Sequence, residues 1–152
     1  MGAAGVSSSW AMAALLLSCM LVEGSSAEPQ LCFPPARPSL NNIDAICVHG
    51  ADRRANHPHS LPTTGFSYLQ RQADAINQME SLYSACCQSY STQDRALTLS
   101  CAEKVWEDVL RIYCVEEFSI KTLQYHCCRE NWKAKWNCFN KEAPNPSYLP
   151  TV

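Results

Sequence analysis

The spacing of apolar positions changes along this chain, and each spacing predicts a different element. The first run, Ala11 to Val22 with Leu15-Leu16-Leu17, is almost continuous, and small residues follow at Gly24-Ser25-Ser26-Ala27. Ser25 and Ala27 suit the small positions before a signal-peptidase cut, so residues 1–27 read as a secretory signal cleaved after Ala27. The run is shorter than the roughly 20 apolar residues a bilayer span takes. No other stretch is as apolar, and no membrane span is expected. From Ser67 to Tyr90 the apolar residues recur at three and four: Leu69, Ala73, Ile76, Met79, Tyr83 and Cys86. That spacing puts them on one face of a helix. A second long helix is predicted from about Arg95 to Glu116, with Ala102, Val105, Trp106, Val109, Ile112 and Tyr113 as its stripe. A third should cover roughly Ser119 to Arg129. A short one should follow Asn131, with Trp132, Trp136 and Phe139 at i, i+4 and i+7. Ser39 can cap a further short helix through Cys47. Sustained period-two alternation is absent, so the fold class is all-α, a small helical bundle.

Between the helices the chain turns polar or proline-rich. Pro29, Pro34, Pro35 and Pro38 preclude a helix and favour an extended arm. His49 to Pro62, with Gly50, Pro58 and two arginines, reads as a loop. The tail from Ala143 to Val152 carries three prolines and should fray. The expected organisation is a signal peptide (1–27), an arm (28–38), a helical domain (39–142) and a tail (143–152).

Cysteines alter this picture most. The chain has 10, and nine remain after the signal: Cys32, Cys47, Cys86, Cys87, Cys101, Cys114, Cys127, Cys128 and Cys138. In a small secreted chain these read as disulfides that staple the bundle. There is no Cys-x-x-Cys and no histidine pair at zinc-finger spacing, which argues against a metal or thioredoxin-like site. After Cys32 the order is single, adjacent pair, single, and then the same again. Neighbouring cysteines rarely bond each other, because their Cα atoms are too close for disulfide geometry. Eight cysteines allow about 105 pairings, and spacing alone does not choose among them. Cys32 is left over; it is expected to pair between chains, giving a dimer, to pair with a small thiol, or to remain a thiol.

Charge and motifs narrow the function by exclusion. Loss of the signal removes Glu23 and leaves 12 basic and 13 acidic side chains. The densest basic stretch is only Lys133 and Lys135, with Lys141 nearby, so nucleic acid and heparin-like polyanions are not expected partners. No nucleophile elbow, zinc-protease, dinucleotide or P-loop motif occurs. His57 and His59 read as solvated loop residues, and His126 as a helix-surface residue. Glu107-Asp108 and Glu116-Glu117 are helix neighbours that do not face each other, so they read as solvated faces and not as a catalytic dyad. No enzyme, cofactor or metal is expected. Arg53-Arg54 reads as a pair of surface arginines sooner than as a dibasic cleavage site. Trp132, Trp136 and Phe139 could anchor a partner, but their first use should be core packing. Pro146 blocks the one glycosylation sequon, Asn145-Pro146-Ser147.

The cysteine order resembles the double-loop units of the serum albumin family. There the second cysteine of each pair bonds upstream and the first bonds downstream. The resemblance implies Cys47–Cys87, Cys86–Cys101, Cys114–Cys128 and Cys127–Cys138. Other strings resemble the extracellular matrix protein 1 family. They are Phe33 to Ser39 (FPPARPS), Asn42-Ile43 to Ile46-Cys47, and Leu61-Pro62 leading to Phe66-Ser67-Tyr68-Leu69. Cys101-Ala102 to Trp106-Glu107, Glu117-Phe118-Ser119-Ile120-Lys121-Thr122 before Cys127-Cys128, and Cys138-Phe139 to Ala143-Pro144 with Tyr148 complete the set. This resemblance implies a secreted, non-enzymatic module that binds extracellular matrix proteins or secreted proteases, with effects on mineralisation or vessel growth. Members of that family carry several double-loop repeats, and this chain has one. An albumin-like carrier of a small apolar ligand is the alternative. With the core claimed by the long helices, the exposed arm from Phe33 to Arg37 and the loop at Arg53 and Arg54 are the expected partner contacts. The Trp132 and Trp136 face comes second.

Overall fold

The two long apolar stripes form two long helices that run antiparallel. The computed structural model describes residues 31–55, 67–90, 94–120 and 123–150. The helices are α1 (Ile43–Val48), α2 (Gly50–Ala55), α3 (Ser67–Cys87), α4 (Arg95–Ser119) and α5 (Trp132–Glu142), with a 3-10 turn at His126–Arg129 before α5. There is no strand among the described residues, and the domain is all-α. The signal segment, His57 and His59 lie outside them. No helix among the described residues is long and apolar enough to cross a membrane.

The antiparallel pairing of α3 and α4 is fixed at both ends. Cys86 near the end of α3 bonds Cys101 near the start of α4. At the other end, Arg71 of α3 pairs with Glu117 of α4 at 3.3 Å. Asp94 starts α4 by accepting the Ala96 N–H at 3.1 Å, which satisfies one of the free donors of the first turn. Leu69, Ala73, Met79, Tyr83 and Cys86 are buried on α3, and Ala102, Trp106, Val109 and Tyr113 on α4. Burial of each large side chain contributes about 1.5–3 kcal/mol. Two positions depart from the predicted stripe of α4: Leu110 is fully buried, whereas Ile112 is 39% exposed. The buried strip runs through 102, 106, 109, 110, 113 and 117, and Ile112 lies at its edge.

Glu117 is the first correction. It is 2% exposed and belongs to no solvated face. It accepts from Arg71 and, at 2.6 Å, from the Tyr113 hydroxyl. A buried carboxylate needs such partners, because an unpaired one would cost several kcal/mol.

The predicted third helix is also corrected. α4 ends at Ser119, Ile120 has extended backbone (φ −111°, ψ 137°), and only His126–Arg129 winds again. The reason is the Cys114–Cys128 bond, whose Cα atoms are 5.2 Å apart. A helix continuing to Cys128 would carry it ~21 Å along the axis from Cys114. The chain must double back, and the short turn aims Cys128 at α4 and Cys127 at α5. The polar segment after His49 is not all loop either, since residues 50–55 form α2.

The arm and tail differ most from expectation. Pro34, Ala36 and Pro38 are buried. The Phe33 ring lies 4.9 Å from that of Tyr113, 5.4 Å from Tyr125 and 6.4 Å from Phe139. The arm is therefore part of the core, where it fills the gap between α4 and α5. Its proline-rich chain has few amide donors, so it can lie against apolar side chains at little polar cost. Asn42, 3% exposed, fixes this segment. Its side-chain nitrogen donates to the carbonyls of Arg37 (2.9 Å) and Pro146 (3.1 Å), and its side-chain oxygen accepts the Ser39 N–H (2.7 Å). The tail docks beside the arm. Tyr148 is 5% exposed, and its hydroxyl donates to the Ala36 carbonyl at 2.7 Å.

Two predictions follow from this packing. Phe33→Ala should destabilise the domain by about 3 kcal/mol and lower Tm by roughly 10 °C, read by thermal circular dichroism. An unchanged Tm would mean that the arm is not core. The second concerns Tyr83, Tyr113, Tyr125 and Tyr148, whose phenols are pushed above the usual range, first by burial. The unfolded chain releases these protons near pH 10, while the folded chain holds them. Their stabilisation is complete below about pH 10 and is lost as pH rises further. In an ultraviolet absorbance titration, their phenolate signal should appear together with loss of helical dichroism.

Candidate functional site

Four disulfides set the frame. They join Cys47 to Cys87, Cys86 to Cys101, Cys114 to Cys128 and Cys127 to Cys138, the pairs that the resemblance implies. Each adjacent pair splits between two neighbours: Cys86 and Cys87 tie α3 to α4 and α1, and Cys127 and Cys128 tie the 3-10 turn to α5 and α4. Cys32 is half-buried at the start of the arm.

At the C-terminal side the frame presents an aromatic face. Trp106 is fully buried on α4, and its indole N–H donates to the Pro35 carbonyl at 2.8 Å. The Trp136 ring of α5 lies 5.7 Å from that of Trp106, tilted by 55°. The Arg37 guanidinium sits 5.7 Å from the Trp106 ring centroid, and the Lys135 ammonium 6.0 Å from that of Trp136. Arg37 is held by Glu107 at 3.1 Å and Glu103 at 3.8 Å, while its backbone N–H donates to the Asn140 side chain at 2.9 Å. The result is a row from the arm across α4 to α5 in which two neighbouring rings, Trp106 and Trp136, each carry a cation, Arg37 and Lys135.

Trp132 opens α5 four residues before Trp136, a spacing that puts the two positions on one side of the helix, but it takes no part in the ring contacts above and is 83% exposed. Its backbone has φ 45°, in the left-handed region that bulky residues rarely adopt. Such a conformation costs about 1–3 kcal/mol and persists only where the surroundings hold it. The Cys127–Cys138 bond and the Trp136–Trp106 contact supply that hold.

The other predicted partner residues fall elsewhere. Phe33 is core. Arg53 is on α2 and turned inward. It pairs with Glu80 at 2.9 Å, donates to the carbonyls of Ala45 and Ile46 near the end of α1, and lies over the Tyr148 ring. It is thus neither an ordinary surface arginine nor part of an open cleavage loop. Half-buried Arg54 donates to the Glu80 carbonyl at 3.5 Å. The structure therefore brings Arg37 and Trp136 together on Trp106, with Trp132 exposed at the start of the same helix as Trp136, while Arg53 and Arg54 serve the α1–α3 contact.

A second cluster lies at the base of α5. Donor atoms of His126, Cys127, Cys138 and Glu142 all fall within 4.8 Å of one another. Its two sulfurs are bonded to each other, so the cluster offers no thiolate to a metal. What remains is a clasp, with His126 and the Tyr125 hydroxyl both on the Glu142 carboxylate. Partial burial pushes the Glu142 carboxyl up, but these two hydrogen bonds outweigh it and hold the group below its usual value.

Together these features define a disulfide-framed, all-α double-loop domain of the extracellular space. The extracellular matrix protein 1 family profile matches residues 23–152, and the chain belongs to that family. It is 43% identical over 117 residues to extracellular matrix protein 1 of Rattus norvegicus and of Mus musculus, covering 77% of this chain and 20% of each relative. With the Homo sapiens protein it shares 40% over 116 residues, 76% of this chain and 21% of the relative. The chain thus spans about a fifth of the length of the curated relatives it matches. No solved structure matches it.

The face is open to direct measurement. Trp132→Phe should remove most of the tryptophan fluorescence that iodide quenches and leave the shielded emission of Trp106 in place. Equal quenching of both proteins would place Trp132 inside.

Proposed function

We propose that this domain is a protein-binding module of the extracellular matrix, acting through the α5 face around Trp132 and not through catalysis. One observation carries the reading: Trp132 is 83% exposed and held in a strained backbone, whereas Trp106 is fully buried. An exposed tryptophan on a rigid support matches the residue type and setting of binding hot spots. Preorganisation strengthens the case. The Trp132 backbone is held between two staples, so docking orders little that is not already ordered. Half-exposed Arg37 and Trp136 supply the adjoining surface. Family membership supports the location, since the relatives are named as extracellular matrix proteins.

The test is a pull-down of matrix extract on the immobilised, disulfide-bonded domain, with captured proteins identified by mass. Affinity for the main one is then measured for wild type and Trp132→Ala. The variant should bind about thirtyfold more weakly, a loss of about 2 kcal/mol, with Tm unchanged. Full affinity in the variant would refute this face.

A further inference from the structure

The basic side chains of this protein divide sharply by location. Among the described residues, Arg37, Arg53, Arg71, Arg95, Lys104 and Arg111 each pair with a carboxylate. Arg54 is engaged with the Glu80 carbonyl. Arg129, Lys133 and Lys135 form no ion pair among the described residues, and all three lie in the segment leading into and through α5; Lys141, further along α5, acts on the Glu142 carboxylate. The acid closest to them on α5, Glu142, is taken by His126 and Tyr125. Glu130 is the other acid in that segment. In a chain of net charge −2, the basic side chains without an ion pair among the described residues therefore lie on or beside the element that also presents Trp132.

The helix geometry places these charges usefully. At about 100° per residue, Lys133 and Lys135 lie on opposite flanks of the Trp132 position, and Arg129 precedes it in the 3-10 turn. We infer that the face takes an acidic protein segment, in which an apolar side chain packs on Trp132 and flanking carboxylates meet Lys133, Lys135 and Arg129. This rests on the reading of Trp132 as a binding residue and adds the chemistry of the partner. A protein segment fits better than a sulfated polysaccharide. Ala134 separates the two lysines, Glu130 interrupts the run, and the centre is a bare aromatic ring. Polysulfated chains gain from dense, consecutive positive charge, whereas a mixed apolar and acidic peptide gains from both parts of this surface.

The experiment titrates the intact domain with three fluorescent probes: an alternating Glu–Leu peptide, its Gln–Leu counterpart, and heparin. The Glu–Leu peptide should bind saturably, at least about tenfold tighter than Gln–Leu, and weaken as salt is raised. Lys133→Glu combined with Lys135→Glu should abolish that preference, and Trp132→Ala should weaken both peptides. Equal binding of the two peptides would overturn the acidic-partner inference. Heparin binding tighter than the Glu–Leu peptide would overturn it in favour of a polysaccharide. If Trp132→Ala impairs capture of matrix protein while the lysine variant does not, the inference falls and the Trp132 face stands. If neither variant changes anything, both fall.

Discussion

The indole of Trp106 is where the parts of this domain meet. Its N–H is satisfied by the Pro35 carbonyl, one side of its ring system carries Arg37, and Trp136 of α5 packs against it. A fully buried indole without an acceptor would cost about 1–3 kcal/mol. The arm must therefore lie where it does for α4 to bury this residue. With the arm in place, Phe33 completes the aromatic cluster of Tyr113, Tyr125 and Phe139, and α5 has a surface to rest on. The strained, exposed position of Trp132 is the outer end of the same arrangement.

The disulfides and the core divide the work. In the chain-entropy account each bond stabilises by about 3–4 kcal/mol for loops of this size, though such values do not add. Their more specific effect is geometric. Adjacent cysteines on one element reach two different neighbours, so Cys86-Cys87 and Cys127-Cys128 each act as a joint between three elements. The Arg71–Glu117 pair adds little net energy, since burying both charges offsets their attraction. It does fix the register of α3 on α4 at the end where no disulfide joins these two helices.

Periodicity made the helical class legible, because the three-and-four stripes of α3 and α4 are long and clean. The Trp132, Trp136 and Phe139 spacing pointed first to core packing, which Phe139 and Trp136 fulfil, whereas Trp132 at the helix start is 83% exposed. Disulfide pairing was not legible from spacing; it entered through the resemblance. The arm was misread because proline density reports the absence of helix but says nothing about burial. Phe33, Ala36 and Tyr148 belong to no periodic pattern, so the contacts of Phe33 with Tyr113 on α4, of Tyr148 with Tyr83 on α3 and of Tyr148 with Ala36 leave no mark in a one-dimensional reading. Asn42, Arg53 and Glu117 are polar residues whose partners lie far along the chain, and nothing local separates them from solvated neighbours.

The clasp between arm and tail has a mechanical consequence. Asn42 holds Pro146 and Tyr148 holds Ala36, so the segments at residues 31–42 and 146–150 lie side by side. Tension entering through one segment and leaving through the other would act on these hydrogen bonds and on the packing that seats the arm before it loads the helices in series. Those bonds would give way first, releasing a few residues of slack while the four covalent links keep the rest of the domain from extending.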